Sequence, residues 1–254
     1  MIKRNTLVKD LNNLMNIYDY QDYGPNGLQI EGRQEIKKIC FAVSATRASV
    51  AKAVELNADA LIVHHGLFWK FHGPKTLTGA FYHRVAPLVK NDINLLGYHL
   101  PLDAHIEYGN AKAIADLIEL TDLKPFGDHK GMPTGVKGKF KSPIDPAELK
   151  TKLEKVLSHS VIHSSPNEDK IKSMGIITGG ANGDWVQAKR DGLDSYLTGE
   201  ISEHDWHEAR EDNIHFFAGG HNATEQFGVQ YLLKYLQAKY PDCEYQFISS
   251  ENPA

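Results

Sequence analysis

The hydrophobic positions of this chain follow two periods. Over residues 6–18, Leu7, Leu11, Leu14, Met15 and Tyr18 recur at helical spacing and Thr6 stands where a cap would, which predicts an amphipathic helix. Tyr23-Gly24-Pro25-Asn26-Gly27 then breaks the pattern. Residues 39–43 and 60–63 are short, continuous apolar runs of the buried-strand kind. Between them, residues 48–57 read as a helix with Val50 and Val54 on one face. Strand, helix and strand in about 25 residues predict a βαβ unit, hence a parallel pair joined by a right-handed crossover. Further strands are expected at 93–98 and 214–218, and further helices at 110–120, from Asp145 onward and from Thr224 onward. The start at Asp145 carries three agreeing signals: Asp as cap, Pro146 in the first helical position and Glu148 two further on. The Gly-, Pro- and Lys-rich stretch 124–143 reads as a lobe boundary, giving an N-terminal α/β lobe over 1–125 and a C-terminal α/β lobe over 126–254.

The two lobes echo each other. Residues 41–65 align with 176–200 at a constant offset of 135, strand over strand and helix over helix, with Asp59 over Asp194. A second alignment, at offset 122, places His99 and Asp103 over His221 and Glu225, each pair being a His, three residues and a carboxylate after a strand. If the echo is a duplication, the fold is α/β with two pseudo-symmetric half-units. Open parallel sheets bind ligands at the carboxyl ends of their strands, and the chemically suggestive residues fall there.

Composition narrows the classes. With 41% hydrophobic and 24% charged residues, the 254-residue chain is ordinary globular material. Its net charge of −4 gives no broad basic footprint for nucleic acid, flexible single strands apart. The apolar run 60–63 is far short of a membrane span, and no apolar core follows Lys3-Arg4 to make a signal peptide. Two cysteines, Cys40 and Cys243, exclude a disulfide framework or a thiolate zinc site and point to a reducing cytoplasm. Thirteen histidines are the first sign of chemistry.

His64-His65 follows a buried strand and reads either as a pair of metal ligands or as two loop histidines. Asp103 is a ligand or a turn-former; His99 is a ligand, an orienting residue or a base. In Gly219-Gly220-His221-Asn222-Ala223-Thr224-Glu225, a first helical turn can bring His221 and Glu225 to one face, while Asn222 and Glu225 also fit a capping box. Together these are three imidazoles and two carboxylates, a set suited to zinc, manganese, iron or nickel. Two metals roughly 3.5 Å apart require a bridging carboxylate, which the set supplies. Weaker candidates are the Gly175–Gly183 stretch as a phosphate cradle or a tight turn, and Glu200 as an orienting group or a surface carboxylate. His204-Asp205-Trp206-His207-Glu208 reads as a polar helix. Phe68-Trp69-Lys70 reads as a stacking and phosphate site or as core packing with one exposed lysine.

Four motifs in order, Val63-His64-His65-Gly66-Leu67-Phe68-Trp69-Lys70, His99-Leu100-Pro101-Leu102-Asp103, Leu197-Thr198-Gly199-Glu200 and Gly220-His221-Asn222-Ala223-Thr224-Glu225, resemble the Nif-three-like dinuclear-metal proteins, often labelled GTP cyclohydrolase 1 type 2 homologues. The resemblance covers nearly the whole chain and is to the short form of the family. It implies two α/β lobes with a dinuclear metal site between them, the 219–225 motif returning to that site. It implies His64, His65, Asp103, His221 and Glu225 as ligands of two divalent ions, with Glu225 as the bridge. It also implies a homohexameric ring, a trimer of dimers with sites facing a cavity that admits small molecules. Gly66 departs from the Pro of many members, in company with another bacterial subgroup. Two functions follow as expectations. One is a metal-dependent hydrolase of a nucleotide-like small molecule, with His99 or Glu200 moving protons. The other is a non-enzymatic metal-binding, metal-donating or interaction protein.

Overall fold

The computed structural model describes all 254 residues, and packing divides them into two units. The first comprises Met1–Leu102 and Val229–Glu251, the second Asp103–Gly228 and Asn252–Ala254. In chain order the elements are β1 (Ile2–Lys3), α1 (Arg4–Leu14), β2 (Gly27–Ile30), β3 (Glu35–Ile36), β4 (Lys38–Ser44), α2 (Arg47–Glu55), β5 (Ala60–His65), α3 (Gly79–Lys90), β6 (Asn94–Gly97) and α4 (Leu100–Ala104). There follow α5 (Asn110–Leu117), β7 (Leu120–Phe126), β8 (Gly135–Ile144), α6 (Pro146–Leu157), β9 (Ile162–Ser164), β10 (Ile171–Ile176), α7 (Trp185–Arg190), β11 (Ser195–Thr198), α8 (Glu203–Glu211), β12 (His215–Ala218), α9 (His221–Lys239) and β13 (Glu244–Phe247).

The first unit is built on a sheet in the order β13-β4-β5-β6-β2, parallel except for β2. A parallel sheet covered on both faces demands apolar residues at successive positions, which is why Ala60-Leu61-Ile62-Val63 is an unbroken run. Cys40, Ala42, Leu61, Val63 and Leu95 pack one face against Val50 and Ala53 of α2 and Val85 and Leu88 of α3. Ile39, Phe41, Ile62 and Leu96 alternate onto the other face and are likewise fully buried. The second unit has the order β7-β8-β10-β11-β12-β9, with β10, β11 and β12 parallel. Val136, Met174, Ile176, Leu197 and Phe217 meet α5 and α6, while Phe126, Tyr196 and Phe216 meet Trp185 and Ala188 of α7 and Ala209 of α8.

Three expectations are corrected. The division at 125/126 is displaced because β13 pairs with β4 and so belongs with the first unit, while α5 and β7 pack with β8 in the second. The stretch 124–143, read as a boundary, is mostly the β7–β8 hairpin. Val136 and Gly138 are buried and Lys139 and Lys141 exposed, so a half-buried strand was hidden by its Gly, Pro and Lys content. The first helix runs over Arg4–Leu14, not 6–18. Thr6 lies inside it, and Asn16 adopts a left-handed conformation that ends the helical path before a single 3₁₀ turn.

The echo at offset 135 is present bond for bond. Asp59 Oδ2 accepts from the backbone N–H groups of Lys37 and Lys38 at 2.7 and 2.9 Å. Asp194 Oδ2 accepts from those of Lys172 and Ser173 at 2.8 and 2.9 Å. Each aspartate, placed just before the second strand of its βαβ unit, braces the start of the first. The other echo needs a different offset. Gly97 pairs with Val63 as Ala218 pairs with Thr198, so the strands correspond at 121 and not 122. His99 therefore corresponds to Gly220, and His221 enters one residue later, on the first turn of α9.

Asp59→Ala strands two backbone donors and the Arg33 guanidinium, 2.9 Å away. The expected loss is about 2–3 kcal/mol. Asp194→Ala should cost less, because Asp194 is only partly buried. Urea unfolding checks both; an unchanged midpoint for Asp59→Ala would refute the brace.

Candidate functional site

His64 and His65 are the last two residues of β5, not loop residues. Successive strand residues point to opposite sides, and here His64 is fully buried while His65 is partly exposed. His64 Nδ1 donates to the Tyr98 carbonyl at 3.0 Å, which fixes its proton on Nδ1 and leaves the lone pair on Nε2. His65 Nδ1 lies 3.0 Å from Ser44 Oγ. His99, just after β6, joins them: its ring centroid is 5.0 Å from that of His64 and 5.7 Å from that of His65. The ligand-capable atoms of these three imidazoles lie within 4.8 Å of one another.

His99 is held by a residue that sequence reasoning missed. Asp22 Oδ1 accepts from His99 Nδ1 at 2.7 Å and from Tyr23 N, while Oδ2 accepts from Asn26 Nδ2 and Leu100 N. Asn26 Oδ1 in turn accepts from His99 N at 2.8 Å. Burial alone would raise the Asp22 pKa, but the bond and charge of His99, with the Asn26 and Tyr23 donors, outweigh it and hold the carboxyl below its usual range. Asp22 stands at the head of the Tyr23–Gly27 breaker, 77 positions from its partner, so no spacing linked the two.

In the second unit, Asp103 is 4% exposed, and its Oδ1 accepts from Asn110 Nδ2 at 3.0 Å and Thr178 Oγ1 at 2.7 Å. Asn110 is fully buried and also accepts from Gly228 N through Oδ1, tying the start of α5 to α9. His221 and Glu225 share a face of α9, with His221 Nε2 3.2 Å from Glu225 Oε2. On the other side of the ring, Glu200 Oε1 lies 2.5 Å from His221 Nδ1. The capping-box alternative for Glu225 fails because α9 already begins at His221 and Glu225 is buried at 2% exposure beside that imidazole. Gly175–Gly183 is the end of β10 and a tight turn whose hollow is filled by side chains. A Cβ on Gly179, which has φ +70°, would lie 2.1 Å from Glu225 Oε1. Thr178 and Gly179 thus lie against Asp103 and Glu225 in turn, and the two carboxylates approach within 4.8 Å of each other.

The hydrogen bonds of Glu225, its charge and those of Glu200 raise the His221 pKa to about 9, against the opposing effect of burial. In the metal-free form, at neutral pH, His221 is an imidazolium between two carboxylates. His204 and His207 sit on α8 with exposed rings, as a polar helix requires. Lys70 Nζ donates to the Asp22 carbonyl, so Phe68-Trp69-Lys70 partly serves the Asp22 cluster.

The chemistry of the set fits divalent ions. Four imidazoles each have Nδ1 against an oxygen: Tyr98 O, Ser44 Oγ, Asp22 Oδ1 and Glu200 Oε1. Such outer bonds orient rings that ligate through Nε2. Asp103 and Glu225 are carboxylates kept from water, which a cation offsets. No thiolate competes: both cysteines are buried, and burial pushes the Cys40 thiol to about 11.

Fold and donor sets define a two-unit α/β protein with imidazole and carboxylate groups able to hold metal ions. The chain belongs to the DUF34/NIF3 family, whose model, described as Duf34/NIF3 (NGG1p interacting factor 3), matches residues 2–253. A Pasteurella multocida protein named "GTP cyclohydrolase 1 type 2 homolog" is 42% identical over 245 residues, 96% of each chain. The Escherichia coli K12 protein of the same name is 38% identical over 254 residues, with both chains fully covered. The solved structure of a protein called ybgI, titled as of unknown function, superposes with a TM-score of 0.92 at 37% identity over all of both chains. TTHA1606 from Thermus thermophilus gives 0.89 at 30% identity, covering 100% of this chain and 99% of its own.

A metal that takes His221 Nε2 must displace its proton. Affinity for zinc should therefore rise by about tenfold per pH unit from neutrality and level off near pH 9. The metal-free protein shows the converse: His221 has its pKa raised on folding, so its contribution to stability is full below about 6.5 and lost as pH climbs through about 9. Calorimetry in buffers of different ionisation heat counts the released proton. A zinc affinity independent of pH between 7 and 9 would exclude the imidazolium.

Proposed function

We propose that this chain is a dinuclear metal-binding protein and a metal-dependent hydrolase of the GTP cyclohydrolase 1 type 2 homologue kind, acting on a nucleotide-like small molecule. Its ligands in this reading are His64, His65, Asp103, His221 and Glu225, with Glu225 bridging two ions of zinc, manganese, iron or nickel. The observation that carries it is the set of four imidazoles each engaged through Nδ1, accompanied by two buried carboxylates. Family membership and the names of the relatives support the same class.

When bound, divalent ions supply Lewis acidity and a water of lowered pKa. The chain's own residues do the rest. Asp22 fixes the His99 ring and favours a proton on its Nδ1, which leaves Nε2 to take up or return a proton. Glu200 orients His221 through its Nδ1 and, with His99, is the second group placed to move a proton. Asn110 and Thr178 aim the Asp103 carboxylate. A non-enzymatic metal-donating or interaction role is the competing reading, favoured by the words "interacting factor" in the family's description. GTP turnover by pure, metal-loaded protein supports the hydrolase; metal transfer to an acceptor without turnover supports the other.

Two buried free thiols fit a cytoplasmic protein, and no helix is long and apolar enough to cross a membrane. The family resemblance carries the expectation of a homohexamer. Light scattering of the metal-loaded and metal-site variants should give the mass of six chains; the mass of one chain overturns the ring.

Elemental analysis of protein purified without chelators should find up to two transition-metal ions per chain. Glu225→Gln should lose more metal than Asp103→Asn, since one bridging carboxylate faces the charge of both ions. Wild-type metal content in Glu225→Gln removes the bridge.

A further inference from the structure

The first unit gathers exposed apolar side chains in one short stretch just after His64-His65. Phe68, Phe71, Leu77 and Tyr82 are all at least 38% exposed. Isolated exposed apolar residues need no explanation, whereas aromatic side chains that line a hollow offer a surface to a ligand. One of them, Phe68, lines a hollow of about 270 Å³, open to solvent, together with Trp69, Phe81 and Lys75 among others. Ligand sites run from roughly 300 to 1,000 Å³, so this one has room for a single ring system and a substituent.

Its walls are flat. Phe68 and Phe81 meet at right angles, centroids 5.7 Å apart, and Trp69 stacks on Phe71 at 5.5 Å and 21°. Two lysines border it and differ in availability. Lys70 Nζ is turned back to the Asp22 carbonyl, whereas Lys75 Nζ lies 5.0 Å from the Phe81 centroid, at the hollow. Trp69 connects the hollow to the imidazole cluster: its ring meets His99 edge-on at 4.9 Å and lies 6.0 Å from His65.

We propose that this hollow binds the planar ring of a phosphorylated heteroaromatic molecule, the ring against Phe68, Trp69 and Phe81 and the phosphate beside Lys75. Flat π-walls accept any planar ring, and the cation selects those that carry an anion. The placement of Trp69 makes the hollow the recognition subsite for the imidazole cluster. This last point rests on the functional reading above; the binding itself does not.

The test uses the full-length protein stripped of metal, so that binding is read apart from turnover. Calorimetry compares guanosine monophosphate, guanosine and ribose 5-phosphate. The monophosphate should bind tightest and ribose 5-phosphate weakest. Phe68→Ala should weaken guanosine monophosphate and guanosine alike by about tenfold. Lys75→Ala should weaken the monophosphate several-fold and leave guanosine unchanged. Neither residue belongs to the metal-binding set, and thermal melts verify their folding. Absence of monophosphate binding, equal binding of ribose 5-phosphate, or wild-type affinity in both variants overturns the proposal. So does a change of assembly mass in Phe68→Ala, which would make the patch a contact between copies of the chain. If the binding pattern holds and metal-loaded protein turns nothing over, only the hydrolase reading falls. If turnover occurs while both variants bind as wild type, only the subsite falls.

Discussion

A carboxylate taken out of water costs several kcal/mol unless donors or a cation replace its hydration, and both units are organised around that constraint. Asp59 and Asp194 meet it with pairs of backbone N–H groups, and in doing so fix where the first strand of each βαβ unit begins. Asp205 meets it with the Trp185 indole and the Asn182 amide, which pins α7 to α8. Asp22 gathers four donors and thereby ties the breaker loop to the residues after β6. Glu225 differs in kind, because the group against it is an ionisable imidazole that a metal can replace.

This difference separates structural carboxylates from chemical ones. Backbone amides cannot leave, so Asp59 and Asp194 are permanently committed. His221 holds a proton between Glu225 and Glu200 that is exchangeable by nature. The central parallel strands of the second unit thus begin at a fixed brace and end near groups whose partners can be exchanged.

Much of this was legible in the chain. The βαβ periodicity, the Asp145 cap and the 135-residue echo all rest on local patterns that tertiary packing reinforces. The His64-His65 pair could be singled out because adjacent imidazoles at a buried strand end are unusual. What escaped notice depended on distance along the chain. Asp22 reaches His99, and Asn110 and Thr178 reach Asp103, through folds that no spacing encodes. The β7–β8 hairpin escaped because its lysines and glycines masked an alternating strand. The one-residue slip in the second echo escaped because similar side chains align at either offset, while backbone pairing admits one.

Gly66, beside the histidine pair, has a local reason. Gln29 runs from Pro25 O to Leu67 N, and its amide fills the space where a Cβ on Gly66 or Gly97 would stand, at 2.3 and 2.7 Å. Positions 29, 66 and 97 therefore behave as one interlocking cassette. Anyone grafting onto this chain a histidine loop with a side chain at position 66 would have to change the partner on β2 with it, because a loop transplanted alone would arrive in a seat already taken.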